Sequence, residues 1–282
     1  MAPKPFQIDV EKIIYNKNPR LYKRLPKFLL TYIKKVLHQE EINEFLRQNN
    51  HLKNIEFIDA VLDVFNNKIT FNGLQNIPRQ GRFIFVANHP LGGPESLAFI
   101  KMVHERFPNK VKFFVNDVLL NIQNLSDIFV PINKYGKQNK ENAKLASEIY
   151  LSDNQILYYP AGLVSRKIKG KIVDLPWKKS ILKKAVAFKR NIIPVFIEAR
   201  NTERFYKIYQ LRKLLGIKAN IELFFLVDEM FRFRNKSMHF YIGKPIDYQI
   251  FKSRHNPEKW IQLLQNFVHF ELKNNINVNF TP

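Results

Sequence analysis

Three observations predict an α/β fold with a mainly parallel sheet flanked by helices. From residue 57 onward, short apolar runs rich in Phe, Ile and Val alternate with amphipathic segments of roughly ten to fifteen residues, the pattern of βαβ units. Several of those runs are apolar at every position, as strands covered on both faces require. The first fifty residues differ, reading as a basic, helical, amphipathic segment. The expected division is therefore residues 1–55, an N-terminal amphipathic helical segment suited to a membrane interface, and residues 56–282, the α/β domain.

The N-terminal segment carries nine Lys/Arg in residues 1–37 against Asp9 and Glu11. In LPKFLLTYIKKVLHQ the residues Leu25, Leu29, Tyr32, Ile33 and Val36 recur at helical spacing, and lysines flank the stripe. Such a helix either lies in a lipid interface or packs on the main domain with a solvated basic face. The segment FIDAVLDVFNNKITFNGLQNIP then reads as a helix end, a short strand and a turn at Asn76-Ile77-Pro78. Buried strands are expected at Phe83–Ala87, Lys112–Val115, Ile128–Ile132, Gln155–Tyr159, Ile192–Ile197 and Met238–Ile242. Helices are expected at Glu95–Arg106, Lys140–Leu151, Trp177–Lys189, Thr202–Leu215 and Pro257–Leu272.

Composition restricts the chemistry. Forty-six Lys+Arg against 24 Asp+Glu give a net charge of +22, a surface that attracts nucleic acid, anionic lipid headgroups or acidic carrier proteins. With no cysteine, a thiol nucleophile, a disulfide and a thiolate zinc site are excluded, and a reducing compartment is expected. The seven histidines show no metal-ligand spacing, so no metal is expected. No uncharged apolar run reaches the ~18 residues that span a bilayer. The expected location is cytoplasmic, peripheral on the inner face of the cell membrane.

Two strand ends carry candidate chemistry. In FIFVANHPLGGPESLAFI an apolar strand ends at Asn88-His89, and Gly92 and Gly93 permit a tight turn before Glu95. In sheets of this type the ligand crevice lies at the carboxyl ends of the strands, where His89 falls. A carboxylate on one ring nitrogen would fix the tautomer and leave the other to take a proton. The second end is YYPAGLVSRK, where Gly162, Ser165, Arg166 and Lys167 could meet an anion or a developing oxyanion. From Arg166 to Arg190 there are ten basic residues and a single acid, Asp174, so most of that charge also fits a solvated face.

Taken in order, GLQNIPRQGRFIFVANHPLGG, FVPINKYGK, YYPAGLVSRK, NIIPVFIEARNTERFY and YIGKPI resemble the glycerolipid acyltransferase superfamily, from about Gly73 to Ile246. The branch resembled is the lyso-aminolipid one, once described as hemolysin-like, whose acceptors are ornithine or glycine lipids. The resemblance implies His89 as general base, with Glu95 as its orienter in place of an aspartate at the position of Pro94. It also implies acceptor and donor contacts from Asn88, Gly92, Gly93, Asn133, Lys134, Gly162, Ser165, Arg166 and Lys167. Acyl-CoA or an acyl carrier protein would be co-substrate, a lyso-lipid the acceptor and an anionic membrane surface a partner, with no further cofactor. The third block departs from the family pattern, with Ala161 in place of its glutamate and Val164 in place of its arginine. That departure favours a lyso-aminolipid carboxylate over a lysophosphatidate headgroup.

Other classes fit less well. A nucleic-acid-binding protein would suit the charge, but no zinc knuckle, RNP-like motif or basic coiled coil is present. A hydrolase using Ser96 or Ser165 lacks the G-x-S-x-G elbow. A lysophosphatidate acyltransferase proper remains the alternative within the resemblance.

Overall fold

The computed structural model describes residues 7–115, 119–131, 140–252 and 256–281. In chain order these form α1 (Val10–Lys17), α2 (Pro19–Arg24), α3 (Lys27–Val36), α4 (Gln39–Gln48), α5 (Asn54–Phe65), β1 (Lys68–Asn72), β2 (Phe83–Ala87), α6 (Pro94–Arg106), β3 (Val111–Val115) and β4 (Phe129–Pro131). There follow α7 (Lys140–Leu151), β5 (Gln155–Tyr158), β6 (Arg166–Ile168), β7 (Lys171–Val173), α8 (Ser180–Ala187), β8 (Asn191–Glu198), α9 (Glu203–Leu214), α10 (Leu226–Arg232), β9 (Ser237–Ile242) and α11 (Pro257–Asn266).

Among the described residues the main sheet has the order β1-β9-β8-β2-β5-β3-β4, with every pairing parallel except β8 with β9. Strand β2 is central and buried throughout, between Ile192 of β8 and Ile156 of β5 at Ile84. Its side chains alternate between two cores. Phe83, Phe85 and Ala87 join Phe57, Ile58, Phe99 and Phe240 on the face covered by α5 and α6. Ile84 and Val86 join Trp177, Ile181, Trp260 and Leu264 on the face covered by α8 and α11. A strand with cores on both sides has no position for a polar residue, which is why its sequence reads as an unbroken apolar run.

Beyond the carboxyl ends of β5 and β8 the chain builds a cap from the β6–β7 hairpin, α9 and α10. It has its own small core of Val164, Phe205 and Tyr206, packed by Ile172 and Leu226. The N-terminal helices reach this cap through His38, whose Nε2 lies 3.0 Å from Asp228 on α10 and whose ring stacks on Phe231.

The expected strands and helices form, with differences that have local causes. Helix α8 starts at Ser180 rather than Trp177, because the Trp177 indole N–H donates to Asp174 and the backbone N–H of Lys178 donates to the Pro160 carbonyl. The hairpin and α10 were not foreseen, since neither shows a sustained period. The expected C-terminal helix is regular to Asn266 and then widens into a π-type turn over Phe267–Glu271. Ile132 lies outside the described residues.

Arg190 locks the lower edge of the sheet. Fully buried, it donates from Nε to the Tyr150 carbonyl (2.8 Å) and from Nη1 to that of Asn154 (2.7 Å), and Nη2 reaches the carbonyls of Ile149 and Ser152. It thereby satisfies the carbonyls at the end of α7 that have no helical partner. Burial lowers its pKa to about 10, so it stays charged at neutral pH. Replacement Arg190→Met would orphan those carbonyls. The expected loss is about 3 kcal/mol of unfolding free energy, measured by denaturant titration.

Candidate active site

His89 stands two residues past the end of β2, where the chain leaves the sheet and turns through Pro90–Gly93 into α6. Pro94 occupies the first turn of α6, where its missing N–H has no helical partner to lose. Glu95 follows in that turn and folds back over the loop. Its Oε1 accepts the N–H groups of Leu91 (2.9 Å) and Gly92 (2.8 Å), its Oε2 that of Gly93 (2.9 Å), and His89 Nδ1 lies 3.0 Å from Oε1. Gly92 sits at φ +98, and a Cβ there would come within 3.0 Å of Val164, so the turn demands glycine.

Glu95 is wholly buried. Burial alone would raise its pKa, but the hydrogen bond and charge of His89 and the amides of Gly92 and Leu91 outweigh it, and the carboxyl is held below its ordinary range. An ionised Glu95 accepts the Nδ1–H of His89, which fixes that tautomer and leaves Nε2 as the basic nitrogen. The histidine ring is 17% exposed, and Nε2 has no partner among the described residues. Tyr159, from the end of β5, stacks beneath the ring at 4.1 Å and 14°. Its hydroxyl, raised well above its usual pKa by burial and then by the charge of Glu95, stays protonated.

The backbone of His89 is held as firmly as its ring. Its N–H donates to Asp174 Oδ1 (3.2 Å), and its carbonyl accepts the backbone N–H of Ser165 (2.7 Å) and the Ser165 hydroxyl (3.1 Å). Asp174 also accepts from the Ser165 hydroxyl and from the Trp177 indole. On the other side Asn201 Nδ2 donates to the carbonyls of Pro90 (3.2 Å) and Leu91 (3.3 Å). A cavity of about 750 Å³ adjoins this loop, its walls including Asn88, Pro90, Ser165, Ile197, Arg200 and His239 but neither His89 nor Glu95.

The structure brings His89, Glu95, Gly92 and Gly93 together in one loop and disposes the other candidates differently. Asn88 is buried and exchanges two hydrogen bonds with the backbone of Ile197 on β8, at 2.6 and 2.9 Å, so its amide is committed to the sheet. Ser165 is committed to Asp174 and His89. Arg166 is 1% exposed because Glu222 takes its guanidinium inward, Nη2 to Oε1 at 2.9 Å, which is a correction to its expected place on an acceptor anion. Lys167 reaches outward and pairs with Glu203 (2.8 Å), and Gly162 turns the loop after β5 at φ +66. Asn133 and Lys134 lie outside the described residues. Sequence reasoning missed Tyr159, Asn201 and Asp174 as parts of the site. Only Asp174 left a signal, as the one acid in a run of ten cations.

At the carboxyl edge of a parallel sheet, a buried carboxylate thus holds a histidine by Nδ1 and leaves Nε2 without a partner among the described residues. The family described as "Acyltransferase" matches residues 12–278, and this chain belongs to it. Lyso-glycine lipid O-acyltransferases from Bacteroides thetaiotaomicron and Phocaeicola vulgatus are 40% and 38% identical to it, covering 94% of this chain and 97% and 95% of theirs. The crystal structure of the 1-acyl-sn-glycerophosphate acyltransferase from Thermotoga maritima has the same fold, with a TM-score of 0.51 at 18% identity over 95% of this chain and 93% of that one.

Replacement Glu95→Gln turns one amide group toward backbone donors and removes the charge. The expected destabilisation is about 2 kcal/mol at pH 7. Because the folded carboxyl binds its proton less tightly than an unfolded glutamate, its contribution is complete above the ordinary value of 4.5 and is lost as the pH falls through the lower folded value. Thermal melts across pH 3 to 7 should therefore show a shallower acid limb in the variant.

Proposed function

We propose that the chain transfers a fatty acyl group from a thioester, on CoA or an acyl carrier protein, to the hydroxyl of a lyso-aminolipid, with His89 as general base. The observation that carries this is the His89–Glu95 pair, with Nδ1 occupied and Nε2 open. Nε2 takes the acceptor's hydroxyl proton as that oxygen attacks the thioester carbonyl. The carbon–sulfur bond then breaks and the proton passes to the departing thiolate. The thioester is already activated, so a base and a positioned acceptor suffice, without a covalent enzyme intermediate. Among the described residues no His, Asp and Glu side chains cluster to hold a metal ion.

The named acceptor of the two bacterial relatives, a lyso-glycine lipid, supports an acceptor of that class here. Its carboxylate needs a cation that Arg166 does not offer. Arg200 does: it lines the cavity beside His89, is 69% exposed and touches Glu203 only at 3.9 Å. Lys167, which pairs with Glu203, is a further described cation of this edge. Residues 1–55 form, on this reading, the segment that holds the enzyme at an anionic membrane, with residues 56–282 as the catalytic domain. Phe28 (75% exposed) and Tyr32 beside Lys27 and Lys35 on α3 support that role. No helix among the described residues is long and apolar enough to cross a membrane.

Purified protein, acyl-CoA or acyl carrier protein and a panel of lyso-lipids, analysed by mass spectrometry, test the reading. His89→Ala should lower kcat on the order of 10²- to 10⁴-fold with the fold intact by circular dichroism, and full activity in that variant would refute the mechanism. Arg200→Ala should raise KM for a carboxylated acceptor on the order of tenfold and leave kcat nearly unchanged.

A further inference from the structure

The chain leaving α9 forms a projecting tip. Every residue from Lys213 to Ile221 is exposed, Leu214 at 83% and Leu215 at 62%, with Ile217 and Ile221 beyond them. Leu211 lies one turn earlier, on the same helix face as Leu214 and Leu215. Between Lys207 and Glu222 there are four cations and one acid, and that acid is buried.

Buried charges close the neck of this tip. Glu222 Oε1 receives Arg166 and its Oε2 lies 2.8 Å from Arg212 Nε, and these three side chains are at most 8% exposed. Arg212 Nη1 also donates to the carbonyl of Ile217 (3.0 Å), and Tyr209 packs against both guanidinium groups. Such a cluster adds little net stability, and it fixes the neck from which the exposed leucines project. It also ties the tip to the site, since Arg166 adjoins Ser165, which donates to the His89 carbonyl.

We propose that the Leu211–Ile221 tip inserts into the interface of an anionic membrane and turns the His89 edge of the sheet toward it. This rests on the lyso-lipid reading, because only a membrane-borne acceptor gives that orientation a use. Leucine and isoleucine ringed by Lys207, Lys213 and Lys218 match an interface that is apolar below and anionic above. Protein interfaces, by contrast, are depleted of lysine and anchored by aromatic residues. The tip is separate from α3, and His38 and Arg204 both reach Asp228 on α10 between the two.

Vesicles of phosphatidylglycerol and phosphatidylcholine, with the full chain, provide the test. Combining Leu214→Asp with Leu215→Asp should lower the vesicle partition coefficient on the order of tenfold or more. Combining Lys213→Glu with Lys218→Glu should lower it only when phosphatidylglycerol is present. Leu215→Trp gives an independent readout, an emission shift to the blue on adding vesicles. In the double aspartate variant, acyl transfer to a short-chain lyso-acceptor dissolved as monomers should be unchanged, while transfer to vesicle-embedded acceptor falls with binding. Unchanged partition and no blue shift overturn the proposal. So does a dimer in ultracentrifugation that the aspartates abolish, or carrier-protein affinity that falls while vesicle binding persists, because either assigns the tip to a protein. A wild-type chain that binds vesicles through the tip yet acylates no lyso-lipid leaves insertion standing and removes the acceptor reading instead.

Discussion

A carboxylate that has left water entirely must have each oxygen answered, and Glu95 imposes that requirement on everything around it. Three consecutive amides, from Leu91 to Gly93, turn inward to meet it, which fixes the backbone path of the loop and makes glycine obligatory at residue 92. The same oxygen that receives two of those amides also receives His89 Nδ1. Charge, loop and histidine are thus one unit: removing the charge frees the amides, and opening the loop strands the charge. The start of α6 adds a favourable dipole to the same carboxylate.

Around this unit the chain spends buried polar groups where two layers meet. Asp174 joins the loop after β2 to the one after β5, Asn201 joins it to the strand end of β8, and Glu229 on α10 receives both the N–H and the hydroxyl of Thr202 (2.6 and 2.8 Å). The first two links tie the strand-end loops to one another, and the third ties α9 to α10 within the cap. The cap's apolar core is small, so its orientation over the sheet edge depends on these directional contacts more than on area buried.

The centre of the sheet was legible in the sequence because β2 is covered on both faces, so a one-dimensional apolar run and a three-dimensional position coincide. His89 alone reads as a turn histidine, and it was singled out by its strand-end position together with the later blocks that resemble a known family. Glu95, one residue past the family's position, was open in sequence and is explained by Pro94: helix α6 begins with the proline, and the next side chain is the one that curls back over the loop. Arg166 could not be read correctly, because its partner Glu222 lies 56 residues later in a segment without periodicity. Asn88, taken for a substrate contact, answers a need of β8 that appears 109 residues away. Polar residues near a site look alike in sequence whether they face a ligand or a distant backbone group.

That distance from Asn88 to Ile197 bears on how the enzyme comes into being. The two hydrogen bonds that seat the end of β2 need the backbone of β8 beside it, which the chain supplies only 109 residues later. A nascent chain that has already produced His89, Glu95 and the loop around them holds these residues without the frame that aims them. A chain that ends before β8 would therefore carry His89 and Glu95 without the backbone partner that seats the end of β2.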